Sequence, residues 1–344
     1  MDRTTLSRRM FTKGFAGVAA LTAAATLGLA GCGNDEAAPA GSTASGDGKK
    51  YKIGVLQLTE HAALDAANDG FVRALDESGI DYDIEQQNAQ NDQSACQTIA
   101  QTLVNDGCDL ILAIATPAAQ AVAGATTEIP IIGTAITDFA ASGLVDDNDA
   151  PGGNLTGTSD MNPVTDQIDL LKQLIPDAQT VGLLYCTAES NSDVQIALAE
   201  EALDTLGIAH ERFTASSSNE IQQVTESMVG KVDAIYIPTD NTISAGISTV
   251  TMVTNENNLP TIVGEVGMVE GGALASISIN YEELGYRAGE MAIEILTEGA
   301  DPAEMPIGTM GADECDLVYN QATADELGVD VSALADEGGE DVSA

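Results

Sequence analysis

Asp109-Leu-Ile-Leu-Ala-Ile-Ala-Thr116-Pro117, leading to Ile129-Pro130-Ile131-Ile132-Gly133, returns later as Asp233-Ala-Ile-Tyr-Ile-Pro-Thr239-Asp240, leading to Leu259-Pro260-Thr261-Ile262-Val263-Gly264. Both stretches read as a strand, a Thr-containing turn, a helix, an X-Pro step and a short strand. The strands are apolar without alternation, as expected of parallel strands buried on both faces. Outward from these two, runs of the same kind begin at Lys52–Leu58 and end at Leu274–Ile279, ten in all. Helical stretches of eight or more residues lie between them, and one more, Glu282–Thr297, follows the last. The class is α/β. Two similar halves, each too small to place all ten strands in one sheet, predict two domains with a cleft between them. Ligands of open parallel sheets bind beyond the C-terminal strand ends, so the Thr116 and Thr239 turns should face that cleft. From Leu334 the chain is acidic and Gly-containing, and residues 334–344 read as a disordered tail.

The N-terminus has a different plan. Arg3, Arg8 and Arg9 precede an apolar run from Phe15 to Ala30 that closes with Leu29-Ala30-Gly31-Cys32. This is a signal peptide over residues 1–31, since the run holds Gly17 and Gly28 and ends in small residues. Leu-Ala-Gly-Cys resembles the lipobox of bacterial lipoproteins, which implies acylation of Cys32 and a mature N-terminus there. Ser7-Arg8-Arg9-Met10-Phe11-Thr12-Lys13 resembles the twin-arginine export signal. Residues 32–50, mostly Ala, Gly, Ser and Asp after Asn34, read as a flexible tether with an end-to-end distance of roughly 20–25 Å.

Without residues 1–31 the chain keeps 8 Lys and Arg against 53 Asp and Glu, a formal charge of −45. Nucleic acid and anionic lipid surfaces demand basic patches and are excluded as partners. Apolar residues make up 44% of the chain, enough for a real core. Cys96, Cys108, Cys186 and Cys315 remain after Cys32. Cys96 stands near the start of a predicted helix and Cys108 at the start of the following strand, roughly 16 Å apart across the helix, beyond disulfide reach. Free, buried thiols are the expectation. His61 and His210, the only histidines, have no second ligand at metal-site spacing, so no metal and no cofactor is expected.

The turns carry polar residues before helices. Thr116-Pro117 and Asn162-Pro163 place a capping side chain before a proline at the first helical position, and Asn241 or Thr242 would cap the helix near Ile243. Helix N-termini also offer free N–H groups and a positive dipole end for a carboxylate. Arg73, Arg212 and Arg287 are the only arginines after Cys32, and none falls in these turns, which argues against an arginine clamp. Acids do fall there: Asp138, Asp160, Glu189, Asp240 and Glu265. The mixture suits a zwitterion, with the carboxylate at helix ends and the ammonium on a buried acid. No nucleophile elbow, phosphate loop or HExxH is present, so no enzyme is expected.

Several turns together, in order, carry a resemblance. Lys52-Ile-Gly-Val-Leu-Gln57 with His61-Ala-Ala-Leu-Asp65, Ile114-Ala-Thr116-Pro117 with Thr134-Ala-Ile-Thr137-Asp138, and Pro151 to Asp160 are three such stretches. Val232 to Thr242 and Ile279-Asn280-Tyr281 are two more. From about Tyr51 to Val329 the chain resembles the ABC-transporter substrate-binding proteins related to the tryptophan/tyrosine-binding lipoproteins. The resemblance implies the type I periplasmic-binding-protein fold, two Rossmann-like lobes joined by hinge strands. Lobe 1 would take residues 51–158 and 281–333, and lobe 2 residues 159–280. It implies a monomer on the outer face of the bacterial cytoplasmic membrane that captures a small solute, an amino acid with the aromatic ones among the candidates, by hinge closure. The partners would be an ABC permease and its cytoplasmic ATPase. A ligand-sensing domain for a signalling partner would use the same fold, and a surface enzyme would need an activity the turns do not show. Carried onto matching positions, the ligand contacts are Gln57, Thr59, Thr116, Pro117, Thr137, Asp138, Ser159, Asp160 and Asn191, with Thr239, Asp240 and Asn241 from the second lobe. Asp240 is the first expectation for the ammonium, Asp138 the second. Phe139 follows Asp138 where relatives often carry Pro, and whether Phe139 or Tyr185 packs on the ligand is open.

Overall fold

The computed structural model describes residues 49–343. The signal peptide, the lipobox with Cys32 and all of the tether except Lys49 and Lys50 lie outside the described residues. No helix of the described residues is long and apolar enough to cross a membrane.

The chain builds a first sheet from β1 (Tyr51–Gln57), β2 (Tyr82–Asn88), β3 (Leu110–Ile114), β4 (Ile131–Ile136) and β5 (Leu155–Ser159). Helices α1 (Ala62–Ser78), α2 (Gln93–Asn105) and α3 (Thr116–Ala125) connect them. All pairs are parallel, in the order β2-β1-β3-β4-β5. Every residue of β3 is fully buried, which is why its sequence shows no alternation.

After α4 (Val164–Leu174) the chain lays down the second sheet, with β6 (Thr180–Cys186), α5 (Ser190–Leu206), β7 (Ala209–Ala215), α6 (Ile221–Met228) and β8 (Ala234–Ile237). Then come α7 (Asn241–Ala245), α8 (Ile247–Glu256), β9 (Thr261–Val263), α9 (Val266–Glu270) and β10 (Ala275–Ile279). α10 (Tyr281–Ile293) returns to the first sheet, packing on α1, β4 and β5. There Gly285 lies against the backbone carbonyl of Ala67, and Gly70 against that of Glu282. Any Cβ at either position would run into main chain.

The third crossing corrects the expected lobe boundary. Gly308 bridges to Thr158 beside β5, and the chain then enters β11 (Cys315–Tyr319), antiparallel to β10. Residues 315–333, expected with the first lobe, therefore lie with the second sheet. Residues 334–343 of the acidic end are not disordered either. Following α11 (Gln321–Leu327), α12 (Ser332–Asp336) buries Leu334, and β12 (Glu340–Asp341) pairs with β11. The order of the second sheet is β12-β11-β10-β9-β8-β6-β7. The four cysteines are all free, with Cys96, Cys108 and Cys186 buried and Cys315 half-buried.

Candidate functional site

In the second sheet, the turns after β6, β8 and β9 each carry a buried acid: Glu189, Asp240 and Glu265. Each is held by donors of its own lobe. Glu189 accepts from the backbone N–H groups of Asn241 and Thr242 and from both side chains, at 2.6–3.0 Å, so it caps α7 from the neighbouring turn. Asp240 accepts from the N–H groups of Cys186 and Ile243 and from the Ser192 hydroxyl, at 2.6, 2.9 and 2.7 Å. Glu265 accepts from the Ser244 hydroxyl and the Gly267 N–H, both at 2.6 Å. Burial first, and then the nearby Glu189, push the Asp240 carboxyl well above the usual range.

The fourth buried acid differs. Asp160 sits where the chain first crosses between the sheets, 5% exposed. One carboxyl oxygen accepts from the Tyr281 hydroxyl at 3.0 Å, while Oδ1 has no partner. Burial raises this carboxyl to about 6, against the opposing hydrogen bond of Tyr281. Asn191, 3% exposed, also leaves Oδ1 unpartnered, although its amide nitrogen donates to the Thr239 carbonyl at 3.1 Å. Both residues line one cavity, together with His61, Ala63, Leu64, Ala135, Met268 and Tyr281. Its volume is about 10 Å³, room for about one water molecule. No Lys or Arg is among the described residues that line it.

Four side chains hydrogen-bond across the cleft. Asn91 donates to the Thr242 hydroxyl at 2.9 Å, Gln195 to the Thr137 hydroxyl at 3.3 Å, and Gln93 to the Ala188 carbonyl at 3.3 Å. The His61 ring meets Asn241 Oδ1 at 3.1 Å.

Of the expected contacts, Asp160, Asn191, Thr239, Asp240 and Asn241 line the cavity. The others do not. Gln57 donates to the Thr59 carbonyl and to Asp65, beside an open polar groove of about 400 Å³ in the first lobe. Ser159 donates to the Thr137 carbonyl at 2.7 Å, tying β5 to the end of β4. Asp138 closes its own loop, accepting from Ala141 N–H and Asn148. Pro117 lines a separate groove with Asn91, Cys186 and Thr242. Phe139 is fully buried in the first lobe's core, against Gly133, and does not reach the cavity. Tyr185 does not line it either and accepts from Arg212 instead.

The capping expectations shift as well. Ala115, not Thr116, is the N-cap of α3, and Pro117 is the second helical residue. The buried Thr116 hydroxyl has no hydrogen-bond partner. Asn162 joins the two crossing segments, accepting from Ile279 N–H at 2.9 Å, and does not cap α4. Asp240 takes the cap of α7, not Asn241 or Thr242. Both oxygens of Asp240 are committed inside the second lobe, whereas Asp160 Oδ1 has no partner. His61, Ser244 and Tyr281 line the cavity, and Gln195 binds Thr239 and Thr137 beside it; none was among the expected contacts. Gln195 was within reach of the sequence: it lies one helical turn after Asn191, on the same face.

Residues 52–337 match the family model described as ABC transporter substrate binding protein. A tyrosine-binding protein of Clostridioides difficile (strain R20291) is 42% identical over 305 residues, covering 87% of this chain and 88% of the relative. The Streptococcus pneumoniae ABC domain in complex with L-Trp is 39% identical, covers 83% of this chain and 98% of that one, and has a TM-score of 0.80. The ligand-free, open structure of a substrate binding protein with adhesive properties from Clostridium difficile is 44% identical and covers 81% of this chain and 95% of that one, with a TM-score of 0.63. The neighbour of higher identity is thus the one that superposes less well.

Proposed function

This chain belongs to the family of ABC transporter substrate-binding proteins, and on that premise we propose that it captures an aromatic L-amino acid between its lobes for delivery to a permease. The observation that carries this is the pair of buried, unpartnered acceptor oxygens, Asp160 Oδ1 and Asn191 Oδ1, beside one cavity. Two acceptors, one of them a carboxylate, suit an ammonium group, because a buried acceptor left unpaired costs about 1–3 kcal/mol. For the ligand carboxylate we assign the start of α3. Its Thr116 hydroxyl is buried without a partner, and its strand joins the one bearing Ala135, which lines the cavity. Leu64, Met268 and the two alanines leave an apolar wall for the side chain.

A cavity of about 10 Å³ admits no amino acid, so entry requires the lobes to part about the three crossings. The lower TM-score against the open relative, despite higher identity, supports such a motion. The same reading places the domain outside the cytoplasmic membrane as a monomer, anchored through an acylated Cys32 after twin-arginine export, and passing its solute to a permease driven by a cytoplasmic ATPase.

Thermal unfolding measured against the twenty amino acids checks the ligand class. A ligand that binds only the folded state raises the melting temperature. L-tryptophan or L-tyrosine should give the largest shift, and no shift with any amino acid would end the proposal.

A further inference from the structure

The four acids buried around the cleft have no basic side chain among them, yet one titratable ring reaches in from the opposite lobe. His61 stands at the start of α1 and crosses to α7, with Nε2 3.1 Å from Asn241 Oδ1 and Nδ1 3.4 Å from Ser244 Oγ. Both partners are acceptors. The Asn241 amide nitrogen is spent on the Glu189 carboxylate at 2.6 Å, which turns its Oδ1 toward the ring. The single hydroxyl hydrogen of Ser244 is spent on Glu265, also at 2.6 Å, so its lone pairs face the ring. Glu265 accepts a second bond from Gly267 N–H at its other oxygen, so it acts as an acceptor at both. A neutral imidazole has one N–H and satisfies one of these partners; only the imidazolium donates to both.

We propose that His61, as an imidazolium, is the positioning residue that holds the two lobes together over the ligand. The surroundings fit a cation. Glu265 and Glu189 each stand one hydrogen-bonded group away. Asp160, Asp240 and Tyr281 line the same cavity, and Glu60 and Asp65 lie on the ring's own segment. When the lobes part, the ring loses both acceptors and returns to water, so closure is favoured by the proton that the ring carries. This rests on the lobe closure of the reading above, not on the identity of the amino acid.

Acid also protonates Asp160, which works against an ammonium ligand, so the pH profile of the native protein alone does not isolate His61. The ratio of affinities between His61→Gln and the native protein does. Calorimetric titration with L-tryptophan and with L-tyrosine, at about pH 5.5 and about pH 8, brackets the range over which imidazole changes charge. At the lower pH the variant should bind roughly tenfold more weakly, and at the higher pH the ratio should fall toward one. A ratio that does not change with pH makes the residue a neutral contact and overturns the proposal. Should neither amino acid bind, the ligand reading fails, and X-ray scattering of the ligand-free proteins still decides on the latch. Compaction on acidification in the native protein, absent in His61→Gln, supports it; equal profiles overturn it. Melting curves of both proteins confirm that the variant is folded.

Discussion

At Asp160, burial and recognition make opposite demands. The carboxyl is raised from 3.8 to about 6 by burial, so above that pH folding confines a charge that the unfolded chain leaves in water. The sign follows: a carboxyl raised in the folded state costs stability above about pH 6 and ceases to do so as pH falls toward 3.8. Asp160→Asn should therefore stabilise the ligand-free protein near pH 7.5 by on the order of 2–3 kcal/mol, a gain that vanishes near pH 4. Urea unfolding at the two pH values measures it. The same variant should bind its amino acid at least about tenfold more weakly, because a charged hydrogen bond is lost. Equal stability at both pH values would mean that the carboxyl is not held against burial. Neither effect was legible in the sequence, where Asp240 was the first expectation for the ammonium and Asp160 was one more acid in a similar turn. What separates them is the supply of donors: Asp240 meets Cys186 N–H, Ile243 N–H and Ser192, while Asp160 meets Tyr281 and leaves one oxygen unpartnered.

Among the elements, the packing of α10 on α1 joins chain segments about two hundred residues apart, and it depends on glycine. Gly285 abuts the Ala67 carbonyl and Gly70 that of Glu282, with Gly289 close to Ala74 and Phe71. Gly285→Val should lower stability by at least about 2 kcal/mol, since main chain yields less readily than a side chain; thermal unfolding shows whether it does. If the helices part instead at little cost, their contact is not what fixes α10 on the first sheet. The α1 and α10 stretches were readable from period and length, as were the buried strands among β1 to β10, because buried parallel strands write themselves as apolar runs. β2 and β7, at the sheet edges, are largely polar and only partly buried. β11 and β12 were not readable. Cys315-Asp-Leu-Val-Tyr319 is half-buried with an acid inside it, and Glu340-Asp341 is wholly exposed and polar. Their place is set by the open edge of β10, a tertiary fact with no local signature. The single helix expected near Ile243 is divided at Gly246 into α7 and α8 for a similar reason. Gly246 packs against Ile221, and the caps from Glu189 and Asp240 fix where the first piece starts.

On the scale of the whole chain, charge decides how the domain stays at a membrane. The part after residue 31 carries 53 acids against 8 bases, and anionic headgroups attract proteins through basic segments. This surface is repelled, and no helix of the described residues spans a bilayer. If the chain is held at the membrane as proposed, the acyl group on Cys32 has to supply the attachment, with the residues up to Lys50 as its leash. Acyl chains bind through buried methylenes, at about 0.8 kcal/mol each, a term indifferent to salt. Electrostatic attachment instead weakens as salt shortens the screening length. The native protein should therefore remain with the membrane fraction through a high-salt wash and leave it in detergent. Cys32→Ser should appear in the soluble fraction with an unchanged affinity for its amino acid, because Cys32 lies outside the two lobes that bind it. A Cys32→Ser protein that still sediments with membranes after the salt wash would show that something other than the acyl group holds the chain there.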